Sequence, residues 1–247
     1  MKRIIVALIC LALLGATPAL AHPSDVAGEA VAAAGEGPHS GSSADGRVWF
    51  VPMQRKEIAL TFDDGPYPFY TPLLLHQLEQ ENAPATFFLV GRTMQEYPQL
   101  VERILASGGE IGNHTFNHFA LTTLTDDQVS EQITRCGTLL EQYTGQRPTL
   151  FRPPHGRYDV RILDIARKLG YRTILWNDAP DDAPPNKEEV PVSVIVERVV
   201  SQAKPGGIVL LHSGQYNTIA AMPDIISELR EQGYSFVTVS QLLSEGQ

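Results

Sequence analysis

From about residue 47 the chain alternates two hydrophobic rhythms. Short apolar runs rich in β-branched and aromatic residues suit strands. Longer stretches in which apolar residues return every three or four positions suit helices. The runs predict strands at 57–62 (EIALTF), 85–90 (ATFFLV), 109–113 (GEIGN), 149–152 (TLFR), 171–176 (YRTILW), 207–212 (GIVLLH) and 234–239 (YSFVTV). The longer stretches predict helices at 71–81, 97–107, 126–143, 159–169, 191–203 and 218–232. Thr71 precedes Pro72, which suits a first helical turn, Asp159 fits an N-cap, and Gly145, Gly170 and Gly233 each follow a helical run. Repeated strand–helix alternation implies a mostly parallel sheet with helices outside it. About seven such units predict an α/β fold, a distorted (β/α) barrel. A doubly wound open sheet is the second architecture that the pattern allows.

The polar residues fall at one place on this map. Asp63 and Asp64 follow the first strand, His114 follows the third, and Arg152 ends the fourth. Trp176 and Asn177 end the fifth, and His212 ends the sixth. All stand at C-terminal strand ends, which in a barrel form the single face that carries the chemistry.

HTFNH places His114 and His118 four residues apart, so a helical turn there would point both rings the same way. Two histidines and a carboxylate make a catalytic zinc set with a position left open for water. Alone, such a pair is more often structural. The neighbouring aspartates tip the balance. A hydrolytic site also needs a base beside the attacking water, so one aspartate can ligate while the other takes a proton. Gly65-Pro66 favours a sharp turn that aims both side chains into one pocket. His212 leaves a strongly apolar strand at the mouth and suits a general acid.

Composition narrows the setting. The net charge of −9 argues against a nucleic-acid partner. The N-terminus reads as a signal peptide over 1–21, with Lys2 and Arg3, the apolar run Ile4 to Leu14, and Ala19-Leu20-Ala21 as the cleavage site. That run is too short to span a membrane, which takes roughly 20 residues. Export to the periplasm or the medium is therefore expected. Losing Lys2 and Arg3 takes the charge from −9 to −11. Losing Cys10 leaves Cys136 alone, so no intramolecular disulfide can form. Residues 22–46, rich in Ala, Gly and Ser and holding His22 and His39, read as a flexible linker, and 47–247 as the catalytic domain. Neither an obligate protein partner nor a carbohydrate-binding module is expected.

TFDDGP, HTFNH, RPPHG (152–156) and LLH (210–212) occur in this order. Together they resemble the polysaccharide deacetylases of the NodB-homology type, carbohydrate esterase family 4, over about residues 48–243. The resemblance implies a distorted barrel, a divalent metal (zinc first, cobalt second), and hydrolytic removal of acetyl groups from N-acetylated polysaccharide such as peptidoglycan, chitin or exopolysaccharide. By motif position Asp63 would be the base, and Asp64, His114 and His118 the metal ligands. Arg152 would hold Asp63 through its bidentate fork. His212 would be the acid, Leu210 would line the acetyl pocket, and the backbone N–H of His155 would face the oxyanion.

The chain departs from the family after Trp176, a residue expected to bind substrate. The family's D-x-x-D-W segment meets WNDAPDDA here, with Asp178 as the expected partner of His212 and Asp182 in place of the Trp. Residues 183–190 read as a surface loop. An acetyl-ester substrate and a non-catalytic carbohydrate-binding role are the alternative functions.

Overall fold

The computed structural model describes residues 46–184 and 189–245. The expected signal peptide, nearly all of the linker, and 185–188 of the expected surface loop lie outside the described residues. In chain order the elements are β1 (Arg47–Val48), β2 (Glu57–Asp64), α1 (Tyr70–Gln80), β3 (Ala85–Leu89), α2 (Gly91–Glu96), α3 (Pro98–Ala106), β4 (Glu110–Asn113), α4 (Asp126–Thr144) and β5 (Leu150–Phe151). They continue as α5 (Val160–Lys168), β6 (Arg172–Ile174), α6 (Val192–Gln202), β7 (Gly207–His212), α7 (Tyr216–Glu231), β8 (Ser235–Phe236) and α8 (Val239–Glu245).

The strands form one sheet in the order β1-β6-β5-β4-β3-β2-β7, with every ladder parallel, and β8 pairs with β2 at Glu57 and Ile58, below the start of β3. Single bridges, Phe50 with Gly207 and Asp178 with Val209, draw the two edges together. The Val51 N–H donates to the Gly206 carbonyl at 2.8 Å, and the Leu210 N–H to the Asp178 carbonyl at 2.8 Å. Gly206 has φ +74, and an added Cβ would overlap the Val51 carbonyl, so this closure requires glycine. The result is a distorted (β/α) barrel closed by bridges along one seam. The open sheet is set aside.

Period-2 alternation explains why the chemistry sits at one end. Along β2, Ile58, Leu60 and Phe62 face the helices and join the large outer core. The inner face runs Ala59, Thr61, Asp63, and along β7 it runs Ile208, Leu210, His212. The barrel interior is therefore apolar at the bottom, where Ala59, Phe88, Leu150, Ile174 and Ile208 pack with Val239 and Leu242 of α8. It turns polar at the mouth.

Three expectations shift. The run 234–239 is a strand only at Ser235–Phe236, because Thr238 and Gln241 cap the helix that follows. The Thr238 N–H donates to Gln241 Oε1 at 2.8 Å, and the Gln241 N–H to Thr238 Oγ1 at 3.3 Å. The helix predicted over 97–107 starts with Pro98 in its first turn, and a separate short helix, α2, precedes it. HTFNH is not helical.

Candidate active site

Asp63 ends the inner face of β2 and is buried. Its Oδ1 accepts from Arg152 Nη1 at 2.6 Å, and its Oδ2 lies 3.7 Å from His114 Nε2. Arg152 is fully buried, and its fork is not bidentate to Asp63. Nη1 also donates to Thr61 Oγ1 at 2.8 Å, Nε to the Ile174 carbonyl at 3.1 Å, and Nη2 to the Leu175 carbonyl at 3.2 Å. Spreading the donors over the ends of β2 and β6 gives every nitrogen of the buried guanidinium a partner, which a bare carboxylate pair would not. Ser213 Oγ donates to the Asp63 carbonyl at 2.8 Å and so ties the β2 end to the loop after β7.

Asp64 turns away from its neighbour because its backbone leaves the strand with φ +72. Its Oδ1 lies 3.2 Å from His118 Nε2 and 3.8 Å from His114 Nε2, and the two Nε2 atoms are 3.1 Å apart. The rings meet through left-handed backbone at Thr115 (φ +66) and His118 (φ +59) rather than through a helical turn. Six described residues other than glycine have positive φ, and five of them (Asp64, Thr115, His118, His155 and Asp181) are within or beside this cluster. Strain of this kind persists where the surroundings over-determine it, as they do at functional sites.

These three side chains fit a divalent cation. The His114 Nδ1 faces the Arg152 carbonyl at 2.8 Å. A carbonyl only accepts, so Nδ1 carries the proton and Nε2 turns its lone pair toward Asp64 and His118. Burial first, and for His114 also the neighbouring His118, push both imidazoles down to about 4 against the pull of Asp63, so both are neutral donors. Ligands about 2.0–2.1 Å from a tetrahedral zinc stand about 3.3 Å apart, close to the 3.1, 3.2 and 3.8 Å edges seen here.

His212 lies opposite, paired in register with Asp63 across the β2–β7 ladder. Its Nδ1 meets Asp182 Oδ1 at 2.8 Å, and its backbone N–H donates to Asp182 Oδ2 at 2.8 Å. Thr218 Oγ1, buried in α7, donates to the same Oδ2 at 2.7 Å. Burial opposes the imidazolium, but the hydrogen bond and charge of Asp182, with Asp63 and Asp64 behind them, outweigh it and push His212 up to about 9. The expectation that Asp178 orients His212 is thereby corrected. After Trp176 the chain runs beside β7 and sets Asp178 in register with Val209, whose side chain joins the outer core rather than the barrel interior. Asp178 is fully buried, neither carboxylate oxygen has a hydrogen-bond partner among the described residues, and burial pushes it up to about 8. Four residues later the chain returns above His212 and delivers Asp182.

The remaining expected residues surround this cluster. Leu210 is buried on the inner face two residues below His212. Trp176 is half-buried beneath Gly156, where an added Cβ would stand 2.7 Å from the indole. His155 is exposed, with φ +59 and its ring 4.6 Å from that of His118. Its backbone N–H donates to nothing among the described residues. Cys136 is buried and its thiol is pushed up to about 12 by burial, as suits an inert core residue.

Residues 51–174 match the family described as polysaccharide deacetylase. The chain belongs to the polysaccharide deacetylase family. A peptidoglycan-N-acetylglucosamine deacetylase of Bacillus cereus is 44% identical over 202 residues, which span 79% of this chain and 92% of that protein. A peptidoglycan-N-acetylmuramic acid deacetylase of Bacillus subtilis, PdaA, is 35% identical over 193 residues, 78% of this chain and 73% of that one. Among solved structures, a peptidoglycan N-acetylglucosamine deacetylase in complex with a naphthalenyl-N-oxidanyl-benzamide superposes with a TM-score of 0.75 at 32% identity, covering 80% of this deacetylase and 92% of that chain. Members of this family are metal-dependent enzymes, in keeping with the Asp64, His114 and His118 cluster. Among the described residues no helix is long and apolar enough to cross a membrane.

Proposed function

We propose that this deacetylase is exported and hydrolyses the N-acetyl groups of peptidoglycan, with zinc held by Asp64, His114 and His118. The observation that carries the reading is the pairing of Asp63 with His212 across one β ladder, beside a three-donor cluster within 4.8 Å. The relatives' names point to peptidoglycan among N-acetylated polysaccharides. A metal bound there would polarise the acetyl carbonyl and raise the acidity of the attacking water.

The residues divide the rest of the work. Arg152 occupies Asp63 Oδ1 and leaves Oδ2 facing the cluster, so Asp63 stays aligned as the base that takes the water proton. The unpaired N–H of His155 is a ready donor to the carbonyl oxygen as negative charge develops on it. Asp182 holds His212 Nδ1, so the protonated Nε2 faces the mouth. As the C–N bond breaks, His212 gives that proton to the departing sugar nitrogen, and acetate and a free amine result. Leu210 supplies an apolar contact for the acetyl methyl, and Trp176 one wall of the groove.

Base, acid and ligand cluster are all present, which favours turnover over a purely binding role. Acetate release across peptidoglycan fragments, chitooligosaccharides, acetylated exopolysaccharide and acetylxylan tests the substrate. The peptidoglycan fragments should have the highest kcat/KM, and preferential hydrolysis of acetylxylan would replace the amide reading with the ester one.

A further inference from the structure

Five large apolar side chains are exposed among the described residues: Phe69, Leu73, Phe119, Val160 and Tyr216. Each follows the C-terminal end of a strand, on the loop or first helical turn after β2, β4, β5 or β7. On the outer helix faces and the opposite end of the barrel, no described large apolar residue is exposed to that degree. Exposed apolar surface gathered on one functional face marks a binding surface, whereas scattered single residues do not.

The three aromatic members follow the site residues closely in sequence, on loops or first helical turns at the same end of the barrel. Phe119 follows His118 directly, Tyr216 is four residues beyond His212, and Phe69 is six beyond Asp63. Their loops are braced. Tyr67 lies on Gly214, where an added Cβ would meet its ring at 2.8 Å, so the β2–α1 and β7–α7 loops abut. Tyr67 meets Tyr70 edge-on at 6.5 Å, and Tyr70 meets Phe69 edge-on at 5.3 Å. This run of rings leads outward from the mouth and fixes Phe69 with 65% of its surface still open to water. Leu73 lies one helical turn beyond it and widens the same patch.

We infer that Phe69, Phe119 and Tyr216 form sugar-stacking subsites that hold a neutral glycan strand on both sides of the acetylated residue being hydrolysed. Pyranose rings present apolar C–H faces and carry no charge, so they can cover an exposed aromatic ring and bury apolar area at little desolvation cost. The chain's net charge of −9 weighs against an anionic lipid surface as the occupant. Three platforms on the segments after three different strands, β2, β4 and β7, suit a polymer rather than a single sugar.

The inference rests on the proposed glycan substrate, and its test separates the two. Phe69→Ala, Phe119→Ala and Tyr216→Ala would each be assayed on N-acetylglucosamine oligomers of two and six sugars, with circular dichroism confirming the fold. The expected result is that the ratio of kcat/KM for the hexamer over the dimer falls about tenfold, through KM, in at least two of the three variants. An unchanged ratio in all three overturns the inference. If the unaltered protein releases no acetate from any oligomer, the catalytic reading fails. Calorimetric titration with the hexamer then decides the rim alone: about tenfold weaker binding in the variants supports it, and equal or absent binding overturns it. Sedimentation with phosphatidylglycerol vesicles that is abolished by Phe69→Ala, with the oligomer ratio unmoved, would assign the rim to lipid instead.

Discussion

Replacing Asp182 with Asn should turn a rate that is nearly flat through neutral pH into one that collapses above it. The substitution keeps the shape and removes the charge that faces His212 Nδ1 at 2.8 Å. The amide oxygen takes the Oδ2 position, where it accepts from the His212 N–H and Thr218 Oγ1, and the N–H₂ then faces His212 Nδ1 and disfavours its protonation. With Asp182 present, His212 titrates at about 9 although burial opposes its charge. Without it the burial penalty is opposed only by Asp63 and Asp64, and the imidazole returns to about 6.5. His212 as an acid works only while protonated, so activity is present below its pKa and lost as pH rises through it. At pH 8 the protonated fraction falls from about 0.9 to about 0.03, a loss of roughly 30-fold in rate, whereas at pH 6 the two proteins differ by less than about twofold. A bound cation lowers both alkaline limbs together, so the displacement between variant and parent is the readout. The assay is acetate release across pH 5.5–9.5, with Asp178→Asn as control. Equal loss at pH 6 and pH 8 in Asp182→Asn, or a displaced limb in Asp178→Asn instead, would refute the reasoning.

Asp178→Asn should act on stability. A carboxyl raised from 3.8 to about 8 on folding retains a proton that the unfolded chain has released, so stability falls as pH rises between those values. Removing the group should therefore stabilise the fold more at pH 8 than at pH 5, by on the order of 3 kcal/mol, and calorimetry at the two pH values measures the difference. Thr218→Val removes one donor from Asp182 and leaves its charge. It should cost about 1–2 kcal/mol of stability and lower kcat severalfold without moving the alkaline limb downward, and Thr218→Ser should restore both. Gly156→Ala forces a Cβ to within 2.7 Å of Trp176 at φ +63 and should raise KM and destabilise by about 1–3 kcal/mol, read by kinetics and urea unfolding.

The strand ends were legible because each strand is a clean apolar run terminated by polar residues. Ile58 to Phe62 leads into Asp63 and Asp64, and Ile208 to Leu211 into His212. What sequence patterns could not resolve were segments without a period. Between Trp176 and Ala183 three aspartates compete for one histidine, and only the bridge of Asp178 to Val209 decides that Asp182 reaches it. HTFNH brings its rings together as expected but by another route, since no propensity predicts a β-branched Thr115 with φ +66. The T-x-x-Q signature of Thr238 and Gln241 was readable as a helix start, yet the apolar run 234–239 masked it. Thr61 opens TFDDGP without a role of its own in the pattern, and Thr218 belongs to no motif. They matter through what they touch, a buried guanidinium and a buried carboxylate.

The proposed catalysis stands on a division of labour between Asp63 and Asp64, and metal reconstitution tests it most directly. Protein stripped with a chelator and titrated with zinc would be followed by bound metal and by acetate release, for the unaltered chain, Asp64→Ala and Asp63→Asn. The unaltered chain should lose and regain both signals. Asp64→Ala should recover neither, and Asp63→Asn should bind zinc while its turnover stays at least about 100-fold down. Full acetate release from stripped protein, or full turnover by Asp63→Asn, would contradict it.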